Sequence, residues 1–95
     1  SYMKLKILIF CLFLPHLTFA EVIKVNNSEI IELMKKGVPI VDIRRANEWA
    51  DTGVIDSSIL LTFFDKDGKY NFDLWLSTLD TFIDVDKPFI IICRS

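Results

Sequence analysis

Two short runs of β-branched and aliphatic residues, Val38 to Ile43 (VPIVDI) and Phe89 to Ile92 (FIII), constrain this chain more than anything else in it. Neither alternates with polar residues, so neither suits a strand with one wet face. Continuous apolar runs of this length are found in strands covered on both sides, as in a parallel sheet. Parallel neighbours need crossover connections, and the intervening sequence supplies helical ones. Each run also ends at a residue able to do chemistry: Asp42 near the end of the first and Cys93 directly after the second.

The remaining elements fit that frame. Glu21 to Val25 (EVIKV) alternates and reads as a strand. Asn27 or Ser28 then offers an N-cap, with Glu29 in the first turn where a carboxylate favours the helix dipole. Ile30, Ile31, Leu33 and Met34 give this helix an apolar face, and Lys35, Lys36 and Gly37 give it a stop. Ala46 to Asp51 suits a short helix closed by Gly53, and Ser58 to Leu61 a third short strand. Asp65 to Gly68 (DKDG) is a polar turn. Phe72, Leu74, Trp75, Leu76, Leu79 and Phe82 form the apolar side of another helix, and Lys87-Pro88 opens the last strand. The fold class expected is α/β, a mainly parallel sheet flanked by helices, in which ligands gather at the carboxyl ends of strands. Asp42 and Cys93 both lie at such ends.

The first 20 residues read differently. Lys4 and Lys6 form a positive segment, Ile7 to Leu14 (ILIFCLFL) a short apolar one, and Thr18 and Ala20 stand at the small-residue positions before a cut. The expected organisation is a signal peptide over 1–20, with translation starting at Met3, and one domain over 21–95. The apolar run is too short to span a bilayer, which takes about 20 residues. Cys11 follows the bulky Phe10 and reads as part of the apolar run rather than as a lipid attachment site. The expected location is periplasmic or secreted, with membrane contact only in transit.

Without Lys4 and Lys6, nine basic residues face thirteen acids, a net charge of −4. That balance excludes a phosphate-neutralising surface, and no nucleic-acid partner is expected. Cys93 is the one cysteine left after cleavage, so an intrachain disulfide is excluded and a lone thiol stands in an oxidising compartment. A thiol where a buried strand enters a loop can be ringed by backbone N–H donors that stabilise a thiolate and an anion bound to it. Such a cysteine suits a nucleophile. A small buried core residue is the competing reading, and position alone does not separate the two.

The ordered set Val41-Asp42-Ile43-Arg44, Glu48-Trp49, Thr52-Gly53-Val54-Ile55 and Ile92-Cys93-Arg94-Ser95 resembles a single-domain rhodanese, of the sulfurtransferase-like family. The resemblance covers Val22 to Ser95, and the stretch Thr52 to Asp65 looks like its periplasmic branch. It implies a rhodanese-like sheet, incomplete at its C-terminal side because Ser95 falls inside the active-site loop of the family. It implies that Cys93 accepts sulfane sulfur as a persulfide and passes it on. The partners implied are a small sulfur-containing anion such as thiosulfate and a thiol or cyanide acceptor, with no cofactor and no metal. Arg94 and Ser95 would belong to the anion-binding loop, Arg44 or Arg45 would bind the anionic donor, and Asp42 would orient the strand end. A solvated surface is the competing reading for both Arg44 and Arg45 and fits Arg45 better, and Trp49 reads as core. Val54 replaces the histidine common after the glycine in that family. A catalytically inactive rhodanese-like binding module is the alternative. The cell-cycle tyrosine phosphatases, which share the fold, fit less well, since Ile92 precedes the cysteine where they usually have histidine.

Overall fold

A computed structural model describes the backbone of residues 8–16 and 19–94, and the side chains of residues 24–94. One five-stranded sheet runs through it, with strand order β2-β1-β5-β3-β4. Its strands are β1 (Leu8–His16), β2 (Phe19–Lys24), β3 (Ile40–Asp42), β4 (Ile59–Leu60) and β5 (Phe89–Arg94). The helices are α1 (Asn27–Lys35), α2 (Ala46–Thr52) and α3 (Phe72–Leu79). β3 lies between β4 and β5 and is parallel to both, pairing Val41 with Ile59 and with Ile91. The crossovers expected from the sequence are therefore present, and the fold is α/β. Its other half is antiparallel: β1 pairs with β5, placing Ile9 opposite Cys93, and β2 returns along β1.

The alternation of side chains along β3 and β5 explains why both runs are apolar throughout. Ile40, Ile90 and Ile92 face one side and pack with Val25, Ile30 and the half-buried Leu33, Val38 and Ile55. Val41 and Phe89 face the other and pack with Trp75 and Leu79. A period of two with apolar residues on both faces is what a sheet covered on both sides demands. Trp75 also donates its indole N–H to the carbonyl oxygen of Leu61 at 3.0 Å, tying α3 to the chain leaving β4.

Local chemistry sets the helix ends. Asn26 caps α1, one residue before the positions expected, because its side chain accepts the Glu29 N–H at 2.9 Å while the Glu29 carboxylate accepts the Asn26 N–H at 3.0 Å. At the other end Gly37 has φ +81°, and the N–H groups of Gly37 and Val38 close onto the carbonyls of Met34 and Leu33. A residue with a Cβ is strained at that angle. α3 stops at Leu79 rather than reaching Phe82. Asp80 and Thr81 are weak helix formers, and the chain tightens into a turn there, with Phe82 N–H donating to Leu79.

Of the apolar run expected within a signal peptide, Leu8 to Leu14 lies in β1, and Ile7 lies outside the described residues. Lys4, Lys6, Thr18 and Ser95 lie outside the described residues. Among the described residues no helix is long and apolar enough to cross a membrane.

The packing of α3 can be tested with two leucines one turn or so apart. Leu79 is fully buried and Leu74 is 63% exposed. Leu79→Ala is expected to cost about 2–5 kcal/mol in urea denaturation and Leu74→Ala less than about 0.5. Equal losses would contradict this orientation of the helix.

Candidate active site

The site forms where β3 and β5 end side by side. The parallel ladder continues one residue past β3, with Ile43 N–H donating to Ile92 C=O at 3.0 Å. On the opposite side the chain leaving β4 follows β3 further still. Leu61 N–H donates to Asp42 C=O, Phe63 N–H to Ile43 C=O, and the Thr62 hydroxyl to Arg44 C=O at 2.6 Å. These bonds bring Phe63 and Phe64, distant in sequence, to the carboxyl end of the sheet.

Asp42 is wholly buried there, as expected of an orienting residue at the strand end, and its partner is Arg44. The carboxylate accepts the Arg44 backbone N–H at 3.1 Å, Nε at 2.9 Å and Nη2 at 2.7 Å. The remaining guanidinium donors go to the Thr52 hydroxyl and, at 2.7 Å, to the Gly53 carbonyl. Gly53 sits at φ +80° and ψ 179°, a conformation essentially confined to glycine, and this turns its carbonyl toward the arginine. A bidentate Arg–carboxylate pair with most of its donors bonded is the arrangement that tolerates burial. Arg44, expected as a binder of the anionic donor, is thus 4% exposed, with its charge and donors committed inside the protein. Its geometry is that of a structural residue.

Both arginines border a cavity of about 150 Å³ at the strand ends, Arg44 with its guanidinium bonded to Asp42, Thr52 and Gly53. Cys93, half-buried, lines this cavity with Arg94, Ile43, Glu48 and Phe64. Cys93 and Arg94 both lie there, as does Arg45, the less favoured of the two arginines considered for the donor; Glu48 and Phe64 were not singled out as site residues. Glu48 accepts the Arg45 backbone N–H at 3.3 Å through one carboxylate oxygen and Arg94 Nη1 at 3.2 Å through the other. It therefore fastens the start of α2 to the end of β5 and neutralises Arg94 in part. Among the described residues, no hydrogen bond or ion pair engages the Arg45 guanidinium. The cavity joins a thiol, an uncommitted cation and an aromatic ring, a combination that can hold an anion against a nucleophile.

Other features contribute less. Trp49 is half-buried, and among the described residues its enclosed indole N–H has no hydrogen-bond partner and it is not part of the cavity lining. Among the described residues no group of His, Cys, Asp and Glu is arranged to hold a metal ion.

The two neighbouring arginines should separate in a stability measurement. Arg44→Met leaves the Asp42 carboxylate buried and unpaired and is expected to cost about 3–5 kcal/mol. Arg45→Met is expected to change stability by less than about 0.5 kcal/mol. Similar losses in urea titrations of the two variants would contradict the division of roles.

Comparison with curated proteins and with solved structures gave no match. A protein-family model, the rhodanese-like domain, matches residues 26–95. That span runs from the cap of α1 through the whole parallel half of the sheet to Cys93, and the chain belongs to the rhodanese-like domain family.

Proposed function

We propose that the protein is an exported sulfurtransferase that carries sulfane sulfur on Cys93. Membership in the rhodanese-like family supports the sulfurtransferase class. The observation that carries the finer reading is the shared cavity, in which the half-buried Cys93 and the uncommitted guanidinium of Arg45 lie together at the carboxyl ends of two parallel strands. A cation beside a thiol favours both the thiolate and the approach of a dianion such as thiosulfate.

In the reaction proposed, the Cys93 thiolate attacks the outer sulfur of thiosulfate. The S–S bond of the donor breaks with its electron pair going to the inner sulfur, so sulfite leaves and a cysteine persulfide remains. A thiolate or cyanide acceptor then attacks the outer persulfide sulfur and returns Cys93 to its thiolate. No net oxidation and no cofactor are required. Arg45 holds the oxyanion end of the donor, Arg94 contributes positive charge at the opposite wall, and Asp42 acts through Arg44 to fix the strand end. Ser95 is proposed to begin the loop that closes over the anion.

Export rests on the Lys4 and Lys6 pair, the apolar run Ile7 to Leu14 and the Thr18-Phe19-Ala20 ending. The proposed location is the periplasm or the medium, and the proposed domain begins at Glu21.

One experiment addresses both parts: intact mass of the protein recovered from export-competent cells, before and after incubation with thiosulfate. The expected polypeptide begins at Glu21, and Cys93 gains the mass of one sulfur atom. Cys93→Ser gains nothing, and Arg45→Gln needs about tenfold more thiosulfate for half-maximal labelling, the loss of one charge-assisted contact. A chain retaining residues 3–20 would contradict export, and an unlabelled Cys93 would contradict sulfur transfer.

A further inference from the structure

Among the described residues, β1 has a strand on each side. Cys11 pairs with Lys24 of β2 and Ile91 of β5, Leu12 with Ile23 and Ile90, and Phe13 with Val22 and Phe89. The backbone of the apolar run is therefore paired along both edges, as in an inner strand. Its neighbour β5 belongs to both core clusters, through Ile90 and Ile92 on one face and Phe89 on the other. A strand so placed opens with the protein as a whole, whereas a chain end outside any ladder frays freely.

The bond between Ala20 and Glu21 shares this environment. It lies inside β2 (Phe19–Lys24), where Ala20 pairs with Pro15 and Glu21 with Leu14. Cleavage of a folded chain requires the segment around the bond to open. Here that segment is one strand of an antiparallel hairpin with β1. Drawing β1 out breaks its ladders to β2 and β5 together and detaches β2 from the rest of the sheet. The apolar run and the bond are thus held by the fold through the same backbone.

Building on the export reading above, we propose that β1 is a two-state element that makes folding and export mutually exclusive. In the unfolded chain Leu8–His16 carries the apolar run of a signal, and the bond between Ala20 and Glu21 is open to hydrolysis, water adding across it to leave a carboxylate on Ala20 and an amine on Glu21. In the folded chain the same residues are a strand beside β5, with Ile9 opposite Cys93. The signal can then be neither drawn into a membrane nor cut away. Export acts on the chain before it folds, and a chain that folds first keeps β1 alongside the strand that carries the thiol. Continuous apolarity serves both states, since a bilayer and the interior of a covered sheet each exclude water.

The test uses the full 95-residue chain and a Leu79→Asp variant, whose charge falls at a fully buried position on α3, outside β1 and β2, and whose loss of structure is checked by circular dichroism. Each is incubated with purified signal peptidase in nonionic detergent, and intact mass follows the loss of the residues up to Ala20. The folded chain is expected to be cut at least about a hundredfold more slowly than the unfolded variant. In hydrogen–deuterium exchange of the folded chain, the amides of Cys11 to Phe13 are expected to exchange as slowly as those of Ile90 to Ile92. Cleavage of both proteins at similar rates would overturn the proposal and leave the export reading standing. Exchange of the β1 amides as fast as in an unstructured peptide would overturn it as well. If neither protein is cut after Ala20, the export reading fails, and the proposal with it.

Discussion

The ion pair between Asp42 and Arg44 is the constraint on which the site depends. Asp42 ends β3 at the centre of the parallel sheet, where both faces are covered, and an isolated carboxylate would be costly there. Arg44 satisfies it and also reaches Thr52 and Gly53 at the end of α2. One side chain thereby fixes the strand end, the helix that follows and the left-handed glycine after it. The pair is worth little as net stability, since two buried charges repay mainly their own desolvation. Its consequence is geometrical. Arg44 is held at the strand end, and the next residue, Arg45, borders the same cavity as Cys93 with its guanidinium uncommitted.

The parallel half of the fold was legible in the sequence because its causes are local and periodic. The runs ending in Asp42 and Cys93 read as strands covered on both faces, and Gly37 and Gly53 marked helix ends through backbone conformations that residues with a Cβ adopt only under strain. The placement of Asp42 at a buried strand end followed from the same pattern. What was not legible depended on partners distant in sequence. Arg44 and Arg45 are adjacent and chemically identical, and only the spacing of two from Asp42 sets Arg44 apart locally. Its further acceptors, Thr52 and Gly53, lie on the far side of α2 and leave no local sign. Phe64 reaches the cavity only because the chain beyond β4 continues to pair with Ile43 and Arg44, an extension that leaves no periodic trace. The sole sequence sign was a pair of aromatics before a tight turn, Phe63-Phe64 before Asp65 to Gly68.

The N-terminal run has two demands placed on it by one composition. Residues such as Ile, Phe and Leu without charge suit an export signal and a strand beside β5 equally well, since both require continuous apolarity. In the 95-residue chain the run is β1, opposite Cys93 along its register. Removal after Ala20 would take β1 away and leave the outer edge of β5, the strand that carries the thiol, available for another strand.

The division of labour between the adjacent arginines, one spent on the fold and one turned to the thiol, is tested most directly by the charge preference of Cys93 toward alkylation. Iodoacetate and iodoacetamide attack a thiolate by the same displacement, and iodoacetate, being anionic, is normally the slower. With Arg45 uncommitted beside Cys93, iodoacetate should label Cys93 faster than iodoacetamide at low ionic strength, and Arg45→Gln should restore the usual order. Faster labelling by iodoacetamide, unchanged by Arg45→Gln, would contradict the placement of an anion-binding charge at the thiol.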